Sequence, residues 1–182
     1  MHFNPQTFHI KSGQSILIRV ANTDDGEKLR NLKLQYLKDT DTIPLFDYEY
    51  PNTIKEEETL IQNYKDQPNS LLLVAEYQGS LVGNIDLTGS WRKKMFHTAV
   101  IGMGIHPEWQ NQGIGTLLIQ SILEWSKTNN LLKTLWLEVY ATNNSGIALY
   151  NKVGFQESGR IKNFFFENNK YLDKIIMSKS VS

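Results

Sequence analysis

The stretch from Thr98 to Thr116 constrains the fold of this chain more than any other. Its first part is apolar and β-branched and ends at Pro107, which predicts a strand followed by a turn. Two glycines, Gly113 and Gly115, then precede apolar residues that recur with helical spacing. Glycine lets the backbone approach a ligand, and the free N–H groups of a helix start suit a phosphate. The stretch therefore predicts a strand, an anion-binding loop and a helix.

Two common phosphate-binding loops do not fit this stretch. The loop of nucleotide hydrolases needs a lysine after its second glycine, whereas Gly115 is followed directly by Thr116. The dinucleotide-binding loop needs a third glycine three residues later, and that position is Leu118. Both alternatives are excluded, so the glycines belong to another kind of loop.

The loop resembles the pyrophosphate loop of the GNAT superfamily of acetyl-CoA-dependent N-acetyltransferases. The run from Gln110 to Gly115, Gln-Asn-Gln-Gly-Ile-Gly, fits the family pattern Gln/Arg-x-x-Gly-x-Gly/Ala. The stretch from Leu137 to Phe155 resembles the family's other characteristic region, in which a strand leads to an asparagine, a short helix containing Ala-Leu-Tyr and a closing Gly-Phe. The two regions occur in the family's order, with one helix and one strand between them.

The resemblance covers about Leu17 to Met177 and implies an α/β fold with a mixed, mostly antiparallel central sheet and flanking helices. At 182 residues, one GNAT N-acetyltransferase domain over 1–182 is expected, with 1–15 as an extension that either adds an edge strand or frays. Thr23 or Asp24 is expected to cap the first helix. Periodicity and turn signals predict strands over 16–20, 71–77, 81–87, 98–105, 134–140, 155–166 and 171–177, and helices over 23–38, 53–67, 113–127 and 145–152.

In this family acetyl-CoA lies in a V-shaped opening between two parallel strands, here the strand ending at Ile105 and the strand 135–140. The resemblance implies that the Met103 N–H faces the thioester oxygen. Asn143 matches an asparagine that contacts the pantetheine arm, and the alternative is a residue that satisfies local backbone groups. The residues implied to bind acetyl-CoA are Met103, Ile105, Gln110, Asn111, Gln112, Gly113, Ile114, Gly115, Thr116 and Asn143.

Tyr150 occupies the position of the family's general acid, where the phenol approaches the sulfur of coenzyme A. An unperturbed phenol, with a pKa of about 10, is a weaker acid than a thiol, with a pKa of about 8.5. We therefore expect Tyr150 to hydrogen-bond the forming thiolate and to pass on its proton late. The alternative is a tyrosine that packs the short helix onto the sheet.

Glu138 is the predicted general base. One branch of the family has a catalytic glutamate on the strand before the loop, but alignment on Gln110 places Ala99 there. The branch that resembles ribosomal-protein N-terminal acetyltransferases has its glutamate in a Leu-Glu-Val run twelve residues before the tyrosine, which is the relation between Glu138 and Tyr150. The alternative role for Glu138 is that of a charged residue paired on the open face of the strand. In that case the proton would be removed by His97, through water, or by water itself.

The segment from Asp39 to Asn52 is a candidate acceptor-binding loop because it is rich in acidic and aromatic residues. Carboxylates attract a cation by charge, and aromatic rings attract it by their faces. The run from Phe164 to Phe166 would suit a cation in the same way, and the alternative is that such segments cover the core. The loop residues concerned are Asp39, Asp41, Phe46, Asp47, Tyr48, Glu49 and Tyr50.

Composition excludes several classes of function. The 19 basic and 19 acidic side chains cancel, so no general field attracts the chain to nucleic acid or to an anionic membrane. There is no cysteine, and the four histidines lack ligand spacing, so no metal is expected. No apolar run approaches the roughly 20 residues of a membrane span, and no export signal is recognisable. We expect a soluble, cytoplasmic protein.

The sequence thus predicts an N-acetyltransferase that transfers the acetyl group of acetyl-CoA to a primary amine of a small molecule or amino acid by direct attack. One alternative is acetylation of a protein N-terminus or a lysine. Another is a non-catalytic acyl-CoA-binding sensor domain. The amine or peptide is the expected partner, and a homodimer is left open.

Overall fold

The computed structural model describes residues 3–38 and 40–181, which form eight strands and four α-helices. None of the helices in these two ranges is long and apolar enough to cross a membrane. In chain order the elements are β1 (Gln6–His9), β2 (Ser15–Val20), α1 (Gly26–Lys38), α2 (Ile54–Asp66), β3 (Leu71–Tyr77), β4 (Ser80–Gly89), β5 (Thr98–Ile105), α3 (Ile114–Thr128), β6 (Thr134–Tyr140), α4 (Asn144–Lys152), β7 (Gln156–Glu167) and β8 (Lys170–Ser180).

The strands of the described residues form one sheet in the order β1-β2-β3-β4-β5-β6-β8-β7. Neighbouring strands are antiparallel except for β5 and β6, which are parallel. A parallel pair needs a long crossover connection, and α3 supplies it. The expected mixed, mostly antiparallel sheet with flanking helices is confirmed.

The parallel strands β5 and β6 pair over only three residues each, ending where Val100 faces Trp136. Beyond that point β5 remains paired with β4 as far as Ile105. In the same way, β6 remains paired with β8 as far as Tyr140. The two strands therefore diverge and leave an opening in the middle of the sheet.

Helices cover the sheet on both faces. Leu118 and Ile122 of α3 pack in a large apolar cluster on one face. Leu29 of α1 packs in a second cluster with Leu72 and Val74 of β3 on the other face, where α2 also lies. Full burial of a side chain of this size contributes about 1.5–3 kcal/mol. Because strand side chains alternate between faces, this packing fixes α3 on one side of the opening and α1 and α2 on the other.

The start of α1 differs from the prediction. Asn22, and not Thr23 or Asp24, is the capping residue: its side chain accepts from the Asp24 N–H, and its own N–H donates to Asp25 Oδ2 at 2.8 Å. Asp25 is held in place by Arg19 of β2, with Nη1 and Oδ2 2.7 Å apart. The reciprocal hydrogen bonds of Asn22 and Asp25 form a capping box that sets the earlier cap, and a short 3₁₀ turn over 23–25 precedes α1.

The two ends of the chain extend the sheet at its two edges. Residues 1–15 were expected either to add an edge strand or to fray, and an edge strand is observed, because β1 pairs with β2. Residues 1 and 2 lie outside the described residues. The C-terminal hairpin of β7 and β8 is also observed. It turns at Asn168 and Asn169, whose φ values of 50° and 58° suit a two-residue hairpin turn.

Candidate active site

A cavity of about 610 Å³ lies where β5 and β6 diverge. At one end, which we call the loop end, it is lined by the loop before α3 and by α4; at the other, the β4 end, it is lined by α1, the segment after α1, and β4. Gln112 does not line it, and Ile114 is buried in the core. The predicted site residues that do line it are Met103, Ile105, Gln110, Asn111, Gly113, Gly115, Thr116, Glu138, Asn143 and Tyr150.

The start of α3 has the properties that a phosphate site needs. Gly113 precedes the helix in the left-handed region, with a φ of 96°, and no side chain caps the helix there. The first N–H groups of a helix have no intrahelical partner, so they remain available to a ligand. A Cβ atom at Gly115 would lie 3.2 Å from Ile105 Cδ1 and 3.3 Å from Leu149 Cδ2. Gly113 is therefore required for its backbone conformation and Gly115 for close packing.

The turn between β1 and β2 supports the same loop. The Lys11 N–H donates to the Gln112 carbonyl at 3.3 Å, and Lys11 Nζ donates to the Asn111 carbonyl at 3.2 Å. Lys11 is exposed and lines the loop end of the cavity. Sequence reasoning missed this residue because it lies 100 positions before Asn111.

Asn143 has two tasks at the start of α4. Its Oδ1 accepts hydrogen bonds from the Gly146 N–H at 2.8 Å and from Ser145 Oγ at 3.1 Å, so it caps the helix. This is the alternative role considered for Asn143. The residue also lines the cavity. Because Oδ1 serves the cap, the Nδ2 amide is the group that can donate to a ligand.

Tyr150 also combines packing with a place in the cavity. Its ring meets Phe155 edge to face, with the ring centres 6.1 Å apart. Burial raises the pKa of Tyr150 to about 12. The phenol therefore keeps its proton throughout the neutral range and is a better hydrogen-bond donor than proton donor.

Glu138 lines the cavity from β6 but is already paired. Its Oε1 accepts a hydrogen bond from Lys174 Nζ at 2.9 Å, and this ammonium lies 3.6 Å from the centre of the Phe164 ring. The alternative of a charged pair is thus present in the structure. His97 is exposed at the opposite end of β5, about 20 Å along the strand from Met103, and does not line the cavity.

The segment between α1 and α2 lines the cavity with uncharged side chains, Tyr50 among them. Two of its acidic side chains serve the segment itself: Asp47 accepts from the Tyr48 N–H at 2.9 Å, and Glu49 accepts from the Phe46 N–H at 3.0 Å. The exposed rings of Phe46 and Tyr48 stack on each other, with centres 5.2 Å apart. The expected cluster of acidic and aromatic groups around a cation is therefore not formed by these four residues.

The aromatic run of the expected acceptor site, from Phe164 to Phe166, lies outside the cavity. Phe164 and Phe166 are exposed on β7, and Phe165 stacks on Tyr140 with ring centres 3.8 Å apart. None of these rings lines the cavity. Asp39 lies outside the described residues.

The β4 end of the cavity contains a polar pair that sequence reasoning missed. Asn84 and Asp86 lie on one face of β4, opposite Gly104 and Gly102 of β5. Burial raises the pKa of Asp86 to about 6, and Lys33 acts in the opposite direction. Asn84 Oδ1 is buried without a hydrogen-bond partner among the described residues. The available signal was the placement of two polar residues at alternate positions within an apolar strand.

Lys33 is the cation of the β4 end, and a fully buried carboxylate neutralises it. Glu57 Oε2 lies 2.9 Å from Lys33 Nζ, and Asn52 Nδ2 donates to Oε1 at 2.8 Å; the Tyr50 hydroxyl donates there too. With Lys33 and Glu57 paired, Asp86 is the remaining charged side chain among the described residues that line this end. Within residues 3–38 and 40–181, no three His, Asp or Glu side chains are grouped so as to hold a metal ion.

A divided parallel strand pair that opens onto an uncapped helix start is the arrangement of a coenzyme A-dependent acyltransferase, as the resemblance implied. The chain belongs to the Acetyltransferase (GNAT) family, whose model matches residues 37–155. The family expected from the sequence is confirmed, and the protein is an acetyl-CoA-dependent N-acetyltransferase.

Curated relatives carry two kinds of name. The L-amino acid N-acetyltransferase AaaT of Escherichia coli strain K12 is 27% identical over 164 residues, which cover 90% of this chain and 97% of that protein. The ribosomal protein bS18-alanine N-acetyltransferase of Salmonella typhimurium is 30% identical over 113 residues, covering 58% of this chain and 76% of that protein. These names agree on the transferred group and differ on the acceptor.

Solved structures have the same fold. An acetyltransferase of the GNAT family from Streptococcus pneumoniae has a TM-score of 0.88 and 26% identity, covering 92% of this chain and 99% of that one. The structure of yncA from Salmonella typhimurium, described with its cofactor acetyl-CoA, has a TM-score of 0.81 and 17% identity, covering 92% and 94%. At 17% identity, the similarity to yncA shows a common fold and nothing further.

Proposed function

We propose that the protein acetylates a primary amine of a small molecule or an amino acid, by direct attack of the amine on the thioester of acetyl-CoA. The observation behind this proposal is the β4 end of the cavity, which is bounded by α1, the segment after it, and β4. Such a space suits a compact acceptor better than a polypeptide. The similarity to an L-amino acid N-acetyltransferase over 90% of this chain supports the same class.

In this proposal the loop end binds the cofactor. The uncapped N–H groups at the start of α3 bind the pyrophosphate, and Lys11 adds a positive charge beside them. Donors and a cation at one loop suit a phosphate. The Met103 N–H donates to the thioester oxygen, where one preorganised donor is worth about 2.7–4 kcal/mol. Asn143 Nδ2 donates to the pantetheine arm.

Acetyl-CoA supplies an activated acetyl group. The protein must stabilise the leaving sulfur and remove a proton from the acceptor ammonium. Tyr150 stabilises the leaving sulfur by hydrogen bonding, which agrees with its raised pKa. An acceptor ammonium must lose a proton before its nitrogen can attack. For an amine with a pKa near 10.4 this costs roughly 4.6 kcal/mol at pH 7, so a base in the cavity is needed. Glu138, the base predicted from the sequence, and Asp86 are the two carboxylates that line the cavity in the described part of the chain.

The test is release of coenzyme A thiol across a panel of amino acids, polyamines, aminoglycosides and N-terminal peptides. We expect free amino acids or small amines to give kcat/KM values at least about 100-fold above those of the peptides, a difference of about 2.7 kcal/mol in transition-state stabilisation. A preference for peptides would favour the N-terminal acetyltransferase alternative. Binding of acetyl-CoA without thiol release from any amine would indicate a sensor domain.

A further inference from the structure

We propose that Asn84 and Asp86 form the subsite that binds the ammonium group of the acceptor, and that Asp86 takes its proton before transfer. This inference rests on the proposed function and specifies the acceptor as a cationic primary amine. Both residues lie on β4, where Asp86 pairs with Gly102. The next residue of β5 is Met103, whose N–H is assigned to the thioester oxygen. The subsite is therefore adjacent to the proposed position of the reacting carbonyl.

Two glycines let neighbouring side chains approach this face of β5 closely. A Cβ atom at Gly102 would lie 2.8 Å from Asp86 Oδ1, and one at Gly104 would lie 2.2 Å from Cε1 of Tyr36. No side chain can occupy either position without displacing its neighbour. The missing side chains leave Asp86 in contact with the cavity, and the Tyr36 ring closes the space above Gly104.

Asn84 supplies an acceptor that lacks a donor. The residue is only 2% exposed, it lines the cavity, and its Oδ1 has no hydrogen-bond partner in the described part of the chain. Buried polar atoms of folded proteins are normally hydrogen-bonded, so an unpaired oxygen in the wall of a cavity is suited to accept a hydrogen bond from a ligand. An ammonium carries three N–H donors, enough to bind Asn84 Oδ1 and the Asp86 carboxylate together.

The charges around the subsite favour a cation. Glu57 pairs with Lys33 and balances its charge, so Asp86 adds a negative charge to the described residues that line the β4 end. Burial holds the pKa of Asp86 at about 6, so the group is mainly a carboxylate at neutral pH and can still accept a proton there. The groups that face Asp86 are Lys33 and Tyr36 from α1, Tyr64 from α2, Thr88 from β4 and the Gly102 N–H from β5.

The other carboxylate of the cavity is placed differently. Glu138 lies on β6, its side chain is 42% exposed, and it is paired with the buried Lys174 ammonium at 2.9 Å. An ammonium that approached Glu138 would meet a second cation. Asp86 has no partner within ion-pairing distance among residues 3–38 and 40–181, and Lys33, the cation that acts on it, is itself paired with Glu57. The structure therefore favours Asp86 as the proton acceptor.

The reaction that follows is balanced. Asp86 accepts one proton from the ammonium and later releases it to solvent. The nitrogen lone pair forms the C–N bond with the thioester carbon, and the C–S bond breaks. The Tyr150 hydroxyl hydrogen-bonds the forming thiolate and keeps its own proton. The second proton, which nitrogen loses as the amide forms, is taken up by the sulfur. One ammonium and one acetyl thioester thus yield one amide, one thiol and one proton.

The test is kcat/KM between about pH 5 and about pH 9, measured by thiol release with the best primary amine of the panel. For the wild type we expect a rise with an apparent pKa near 6. Asp86→Asn should lower kcat/KM by about 10²- to 10⁴-fold and remove this limb. Asn84→Ala should raise KM for the amine about tenfold while the Kd for acetyl-CoA stays within a few-fold.

Matched variants make the result decisive. Asp66→Asn removes an exposed carboxylate that accepts a hydrogen bond from Gln62 on α2, and should keep wild-type values. Asp86→Glu restores a carboxyl group and should recover part of the limb. Loss of the limb in Glu138→Gln with its retention in Asp86→Asn would overturn the inference while leaving the proposed function intact. A wild type that releases no thiol with any amine would instead refute the proposed function, and this inference with it.

Discussion

Burial raises the pKa of both Tyr150 and Asp86, which lie at opposite ends of one cavity. The same cause has different consequences for the two groups as proton donor and proton acceptor. For Tyr150 the pKa of about 12 lies some 3.5 units above that of an ordinary thiol, so complete proton transfer to a thiolate is uphill by roughly 5 kcal/mol. The phenol can therefore act mainly by hydrogen bonding. For Asp86 the pKa of about 6 moves a weak base close to the working pH.

A Tyr150→Phe variant tests the role of the phenol. We expect kcat to fall by at least about tenfold while the Kd for acetyl-CoA stays within a few-fold, because the hydroxyl is needed most when sulfur becomes charged. The wild-type kcat should also show no loss up to about pH 10, since Tyr150 ionises near 12. Tyr171→Phe, at an exposed tyrosine of β8, is the control. A kcat within a factor of two of wild type would make Tyr150 a packing residue.

Among the structural elements, the β1–β2 hairpin has a role beyond extending the sheet. Its turn reaches the loop before α3, where Lys11 donates two hydrogen bonds to backbone carbonyls. Two residues of that loop, Asn111 and Gly113, are in the left-handed region, with φ values of 61° and 96°. Contacts from the hairpin support this conformation, so the N-terminal segment contributes to the cofactor site.

The hairpin's contribution can be measured with Lys11→Gln. Because Lys11 is exposed and its charge is partly screened, we expect acetyl-CoA to bind about five- to tenfold more weakly, or ~1–1.4 kcal/mol, at low ionic strength. The loss should shrink as salt is added. Lys127→Gln is the matched control, since it removes the same charge at the far end of α3. An equal loss in both variants, or none in Lys11→Gln, would remove Lys11 from the site.

Elements with a strong local pattern were predictable. β5 has the bounds that its apolar run predicted, because Pro107 ends the run and nothing distant alters it. The two-residue turn after β3 is likewise formed by Gln78 and Gly79, both with positive φ. The cap of α1 was missed although its signal is local, because Asn22 and Asp25 form a capping box three residues apart.

The residues of the site also differ in how far a local sequence pattern predicts them. Its loop end could be predicted because the residues from Gln110 to Thr116 are contiguous and their glycines have a recognisable spacing. Asp86 gains its properties from Gly102 on the neighbouring strand and from helices that cover it. Lys11 reaches the loop only through the hairpin. Roles that depend on contacts between distant segments are not visible in a linear pattern.

At the scale of the whole molecule, the sheet separates two tasks and the opening joins them. α3 begins at the loop end of the cavity, while α1 and the segment after it line the β4 end, which is assigned to the acceptor. The reacting groups must meet between the diverging strands. A buried carboxyl at this point serves transfer, but it lowers the stability of the fold, because burial disfavours its charged form.

That cost gives a prediction for stability against pH. Asp86 has a pKa of about 6 in the folded protein and 3.8 as its ordinary value. Between these values the folded state keeps the proton that the unfolded chain has lost, so this residue makes the free energy of unfolding fall as pH rises. Asp86→Asn removes the effect.

Urea unfolding should therefore show the variant more stable than wild type by up to about 3 kcal/mol near pH 8, with a much smaller difference near pH 4. Asp66→Asn should show no such gain. If Asp86→Asn is instead less stable than wild type near pH 8, its neighbours stabilise the carboxylate, and the raised pKa assigned to Asp86 is wrong.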